Sequence, residues 1–301
     1  MSLIVTGSIG IDTVQTPYGQ NRDCVGGSAV YFSLAAGFFT NVKLLGVAGE
    51  DCPFDLKETF QGCDVDLEGL EIRKGSKTFR WSGSYEGDMS EARTDEVSLN
   101  VLAEAPPRVP DSYRDSDYVF LANTSPSLQM ELLDQLGATS FVAADTMNLW
   151  IQTANEDLRK LLKRINMLVL NEGEAKLLTN CHNLVEAAQQ ILKMGPEYVI
   201  IKKGEHGSML FDSAGQIFLL PAYPTSVVID PTGAGDSFAG GMMGYLAHSK
   251  TVDYVTLRKA MAYGTVVSSF TIGDFSIHGI QTANREMIDE RLETLRKVTQ
   301  F

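Results

Sequence analysis

Residues 230–241 read DPTGAGDSFAGG, Asp230 to Gly241, and run directly into MMGYLAH. Glycines and an alanine are set around two carboxylates. The preceding TSVVID reads as a strand, and GDSFAGGMMGYLAH has helical spacing, so the glycines fall at a strand-to-helix turn. A helix N-terminus offers unpaired N–H groups and the positive end of a dipole, both of which favour an anion. Glycine lets the backbone approach that anion closely. Asp236 stands where the helix begins. As an N-cap it would contribute about 1 kcal/mol, but a carboxylate aimed at an anion site repels its ligand. It makes sense there as a base that takes a proton from a hydroxyl attacking a phosphate. Spacing alone leaves both readings open, a capped loop or an anion site with a base.

The surrounding chain has the rhythm of an α/β fold. LIVTG precedes SAVYFSLAAGFF, DYVFLAN precedes SLQMELLDQLG, SFVAAD precedes NEDLRKLLKRI, and MLVLN precedes EGEAKLL. Strands of four to six residues alternating with longer amphipathic stretches predict βαβ units, a parallel sheet and helices on both faces. Two regions break the pattern. Residues 12–25 are polar with a Pro-Tyr-Gly turn, and residues 70–102 are β-prone segments split by glycines and charges. Both read as short antiparallel strands outside the main sheet, forming a flap, with AEAPPRVP as a stiff connector back. From about Asp253 onward, two or three helices are expected. The 301 residues suffice for one large α/β domain spanning 1–301.

Composition narrows the function. With 25 basic and 38 acidic residues the formal charge is −13. That field repels phosphate backbones and anionic lipid heads, which argues against nucleic-acid and membrane-surface roles. No apolar run approaches the ~18 residues that span a bilayer, and the MSLIVTGSIG start reads as a buried strand rather than a signal peptide. Cys24, Cys52, Cys63 and Cys181 show no CxxC pairing. They read as free thiols in a reducing, cytoplasmic compartment. The four scattered histidines form no HExxH, so a histidine-built metal site is not expected.

DPTGAGDSFAGG closely resembles the C-terminal signature of the ribokinase-like (PfkB-type) carbohydrate kinases, and the resemblance extends along nearly the whole chain. It implies a three-layer αβα sandwich with a mostly parallel central sheet and a small β-strand lid, and an ATP- and Mg²⁺-dependent kinase. It assigns the general base to Asp236 and the anion hole to Gly233, Ala234 and Gly235. Asp230 and Thr232 would help hold a monovalent cation such as K⁺. GSIGID matches the family's first strand, whose Asp binds substrate hydroxyls, here Asp12. GGSAVYFSLAAGFF matches the N-terminal signature, with Gly26 and Gly27 under the substrate. NEGE matches Asn-x-x-Glu, so Asn171 would serve the nucleotide and Glu174 the magnesium, indirectly. KKGEHG falls where members carry Thr-x-Gly-x-x-Gly, which puts Lys202, Gly204 and Gly207 beside the nucleotide. In ribokinase larger lids make dimer contacts, so a homodimer through the lid is implied. Only 13 residues separate Asp12 from Gly26, a short first lid segment.

Taken one by one, these residues have plainer readings: Asp12 as a turn residue, Asn171 and Glu174 as a helix start, Gly26 and Gly27 as a helix entry. Their order along one chain favours the kinase. Two positions depart from the family. Tyr31 stands where an Asn usually contacts the sugar, and Lys202 replaces a threonine; it reads equally as a phosphate contact or a solvated strand end. In the flap, Phe79 and Trp81 share one strand face, as packing or as a cover for the substrate. The acceptor ranks first as a small sugar phosphorylated on a primary hydroxyl, with a nucleoside as runner-up because of Tyr31 and Trp81. A non-catalytic nucleotide-binding regulator has no need of Asp236. A Rossmann dehydrogenase needs a GxGxxG that GSIGID does not supply.

Overall fold

The computed structural model describes residues 2–300. Fourteen strands form two sheets. The main-sheet strands are β1 (Leu3–Thr6), β4 (Val42–Gly49), β5 (Val65–Asp66), β6 (Leu70–Arg73), β9 (Tyr118–Leu121), β10 (Phe141–Asp145), β11 (Met167–Asn171), β12 (Tyr198–Lys202), β13 (Ser208–Asp212) and β14 (Ile217–Leu220). Their order is β14-β13-β12-β11-β10-β9-β1-β4-β5, with β6 also pairing β4. All pairs are parallel except the β12–β13–β14 edge. The smaller sheet orders β3 (Gly19–Gly26), β2 (Gly10–Thr16), β7 (Phe79–Ser84) and β8 (Arg93–Ser98).

Strand alternation distributes the core over both faces of the main sheet. On β1, Leu3 and Val5 join one apolar cluster with helices Ser28–Ala36, Ala234–Ser249 and Tyr254–Thr271, while Ile4 joins the other, with helices Asn155–Leu162 and Leu184–Leu192. Strands buried on both faces are continuously apolar, as LIVT, YVFL and MLVL are. The helix pair Ala234–Ser249 and Tyr254–Thr271 approaches closely through Gly241 and Gly264; a Cβ on Gly264 would lie 2.5 Å from the Phe238 carbonyl. Asp253 caps the second of these by accepting the Thr256 N–H at 2.7 Å, and helices His278–Gln281 and Arg285–Val298 complete the C-terminal region. The four cysteines are unpaired, and no described helix is long and apolar enough to cross a membrane.

Three expectations are corrected. The smaller sheet is not wholly antiparallel, because its central pair, β2 and β7, runs parallel. β2 leaves the main sheet after β1 and β7 after β6, both parallel to β4, so the two emerge in the same direction and only their hairpin partners return. The segment 70–102 is not all outside the main sheet, since Leu70–Arg73 pairs with Gly46–Gly49 and only Phe79–Ser98 reaches the smaller one. TSVVID is not a strand. β14 already forms the sheet edge, and the segment is tied instead to a helix end, where the Ile229 N–H donates to the Ile272 carbonyl at 2.8 Å.

Candidate active site

Asp230–Gly241 is therefore a loop-to-helix turn at the start of helix Ala234–Ser249. Its N-cap, Gly233, is left-handed at φ 74°, and no side chain caps the helix. A Cβ at Gly233 would sit 2.4 Å from the Tyr31 ring, so both the backbone angle and the ring require glycine. The N–H groups of Gly233 and Gly235 find no backbone acceptor, whereas that of Ala234 turns to the Pro231 carbonyl at 3.2 Å. Asp236, in the first turn, is partly open to solvent. Burial of its carboxyl raises its pKa to about 6; Lys202 and its own N–H pull the other way.

Asp230, 1% exposed, anchors the turn. Its two oxygens accept the N–H of Thr232 at 2.9 Å and of Ser276 at 3.1 Å. No cationic side chain pairs with it among the described residues, and burial pushes its pKa up. Asp230 and Thr232, expected at a monovalent-cation site, are thus held together by the Thr232 N–H. The Thr232 hydroxyl donates to the Tyr85 hydroxyl at 3.3 Å, linking the end of the small sheet to this turn.

Asp12 reaches the same centre from the small sheet. It is 4% exposed, and its Oδ1 has no hydrogen-bond partner. Burial first, then the charges of Asp230 and Asp236, raise it to about 7. A Cβ on Gly26 would lie 1.9 Å from the Asp12 Oδ2, and one on Gly27 (φ 101°) 2.4 Å from the Ser8 carbonyl. The Gly-Gly pair is what allows this carboxylate to sit beside the entry of helix Ser28–Ala36. Trp81 is the ladder partner of Asp12 across β2–β7, so the two side chains share a face. The indole lies across Gly83, where a Cβ would come within 2.2 Å of it, and donates Nε1–H to Thr94 Oγ1 at 3.2 Å. Tyr31, expected as a substrate cover, is 2% exposed. Its ring supports Gly233, and only its hydroxyl is near Asp12, Asp230 and Asp236, its pKa raised mainly by burial.

The residues expected beside the nucleotide lie at or just after the carboxyl ends of β11 and β12. Asn171 and Glu174 form a capping box on helix Glu172–Thr179: Asn171 Oδ1 accepts the Glu174 N–H at 2.8 Å, and Glu174 Oε2 accepts the Asn171 N–H at 2.7 Å. The helix-start reading therefore holds for this pair, yet Glu174 also faces the site. Its pKa is raised by burial and lowered by Lys202. Lys202, last in β12, is the ladder partner of both Asn171 and Ser208. Gly204 and Gly207 flank a 3-10 turn; Gly207 is required by packing, since a Cβ there would be 2.0 Å from the Leu220 carbonyl.

One group was missed in the sequence. Asp145, ending β10, is buried with an unpartnered Oδ1 and faces Lys202, Asp236 and Glu174. Burial above all holds its pKa well above the usual carboxylate range. The available signal was an Asp at the carboxyl end of a predicted parallel strand, the edge where open α/β sheets bind ligands. Asp12, Asp145, Asp230, Asp236 and Glu174 thus crowd one edge with a single ammonium, that of Lys202. No three His, Cys, Asp or Glu side chains among the described residues are grouped to hold a metal ion unaided.

An anion-attracting helix turn with a carboxylate able to accept a proton suits transfer of a phosphoryl group to an alcohol. Residues 25–279 match the model of the pfkB family carbohydrate kinases, and the chain belongs to that family of ATP-dependent phosphotransferases. It is 30% identical over 251 residues to a cytidine kinase of Thermococcus kodakarensis, covering 81% of this chain and 87% of the relative. Its fold matches the Burkholderia thailandensis nucleoside kinase in complex with inosine (TM-score 0.76, 21% identity, 97% and 98% of the two chains). It also matches the Arabidopsis thaliana ribokinase complexed with ribose and ATP (TM-score 0.78, 18% identity, 97% and 98%).

Proposed function

We propose that this kinase transfers the γ-phosphoryl of ATP to the primary hydroxyl of a ribofuranose unit, with a nucleoside as the first-ranked acceptor. The carrying observation is the pairing of Asp12 with Trp81 on one face of the small sheet, opposite Asp236. Asp12 has a buried carboxylate oxygen without a hydrogen-bond partner, available to a ring hydroxyl. The Trp81 indole packs across Gly83 on that same face, where it would stack on a base; such stacking contributes about 1–3 kcal/mol in single-strand binders. The similarity to a cytidine kinase and to an inosine-bound nucleoside kinase supports the same ranking. A free sugar is the second reading, supported by the family description and by the ribose-bound neighbour.

In this reading Asp236 takes the proton of the acceptor hydroxyl, the acceptor oxygen bonds to the γ-phosphorus, and the bond to the β-phosphate oxygen breaks to release ADP. The free N–H groups of Gly233 and Gly235, with the helix dipole, stabilise charge on the transferring group. Tyr31 holds Gly233 in its left-handed state. Asn171 and Glu174 organise the nucleotide side, and magnesium, when bound, offsets phosphate charge there. The small sheet acts as a lid that excludes water, linked through Tyr85 to Thr232. The test is a phosphorylation assay with MgATP on cytidine, uridine, inosine, adenosine, ribose and fructose, for wild type and Trp81→Ala. A nucleoside acceptor predicts a KM raised roughly ten- to a hundredfold by Trp81→Ala, following the stacking scale. A sugar acceptor predicts mainly more ATP hydrolysis without transfer. A variant unchanged in both would reduce Trp81 to packing.

A further inference from the structure

We propose that Lys202 is a catalytic residue of this kinase: its ammonium completes the anion hole and binds the γ-phosphoryl group as it moves between ATP and the acceptor. The proposal rests on the phosphotransfer reading above and adds a third donor to the free N–H groups of Gly233 and Gly235. Lys202 ends β12, and its Nζ lies 2.7 Å from where a Cβ on Gly235 would be. The ammonium therefore fills the space in front of the first helical turn, beside the unpaired N–H of Gly235. A positive side chain against the positive end of a helix dipole is unfavourable by itself. It becomes favourable when an anion lies between them.

The second observation is that this ammonium has no partner. Among the described residues Lys202 makes no hydrogen bond and no ion pair within 4.0 Å, although carboxylates from three elements face it: Asp145 at the end of β10, Glu174 in helix Glu172–Thr179, and Asp236. Asp145 Oδ1, which faces the ammonium, and the Oγ of Ser208, the ladder partner of Lys202, are buried without hydrogen-bond partners. Charged and polar groups left unpaired together at one sheet edge are the mark of a ligand site, because leaving them unmet costs free energy. The ligand must be an anion able to take N–H donors from Lys202 and Gly235 together, while Asp236 stays beside it as base. A phosphoryl group in flight meets that description. Lys202 gives up no proton in the step; it donates hydrogen bonds to a non-bridging phosphoryl oxygen. It also favours the ionised form of Asp236, so one residue serves both the base and the group it attacks.

The role separates cleanly from nucleotide anchoring. Lys202→Met and Lys202→Arg are to be compared with wild type by calorimetry with MgADP, and with MgADP plus aluminium fluoride, which mimics the transferring phosphoryl. The expected result for Lys202→Met is MgADP affinity within about threefold of wild type, and affinity for the aluminium fluoride complex and kcat each lower by about 100-fold or more, the scale of losing one anion-hole donor. The acidic limb of the pH–rate profile should move to higher pH, with Asp12, Asp145 and Glu174 as the other groups facing Asp236. Lys202→Arg keeps the charge and should restore the limb. Equal losses for MgADP and the aluminium fluoride complex would make Lys202 a nucleotide anchor and overturn the proposal, as would no loss in either. Asp236→Asn, run in parallel, tests the underlying reading: an active Asp236→Asn enzyme removes the base, whereas an inactive one with an unaffected Lys202→Met removes only this proposal.

Discussion

Asp12→Asn should make the ligand-free protein more stable and the enzyme worse. The carboxyl is raised from 3.8 to about 7, mainly by burial and then by Asp230 and Asp236. A group whose acid form is favoured by folding binds more protons in the folded than in the unfolded state between those two values. Stability therefore falls as pH rises from about 4 to about 7 and stays low above that. About three units at ~1.36 kcal/mol each sets an upper bound of about 4 kcal/mol at pH 8. At pH 5 only about a third of that has developed. The asparagine amide keeps the shape but brings its own buried polar group, at a cost of about 1–3 kcal/mol. The net gain at pH 8 is then about 1–3 kcal/mol, or roughly 2–6 °C in Tm for a chain of this size. Thermal melts without ligands from pH 4.5 to 8.5 measure it. The gain should shrink toward acid and vanish or reverse near pH 4.5, while kcat/KM for the acceptor falls at pH 8. A stability difference that does not vary with pH would refute the reasoning, because it would mean that Asp12 carries no buried charge.

Three further outcomes follow from the site. Asp236→Asn should keep the fold and ATP binding but lower kcat by about 10²–10⁴-fold, the range for general-base catalysis; wild-type activity should fall as pH drops through about 6, where the carboxylate is protonated. Gly233→Val meets both a left-handed backbone and the Tyr31 ring, so it should destabilise the protein by about 1–3 kcal/mol and weaken ATP binding more than acceptor binding, read by melting and calorimetry. Activity should be higher in potassium than in a bulky organic cation, since Asp230 is buried without a cationic partner; equal rates in both would remove that site.

The layer architecture and the glycine-rich turn at a helix start were legible in the sequence. Both depend on short-range rules: apolar runs of strand and helix length, and glycines just ahead of a helix start. The run from Gly233 to Asp236 is readable because the proposed anion turn and proposed base lie within four residues of each other. TSVVID was misread because its apolar residues fit a strand while the sheet edge was already taken by β14. The parallel β2–β7 pair was hidden because pairing direction depends on where each strand leaves the main sheet. Only the tertiary structure brought Lys202 to Gly235, set Asp145 among the acids, turned Tyr31 under Gly233 and joined Tyr85 to Thr232, 147 residues apart. Those contacts have no local signature, since residues distant in the chain meet only when the parallel strands align and their carboxyl ends converge on one edge.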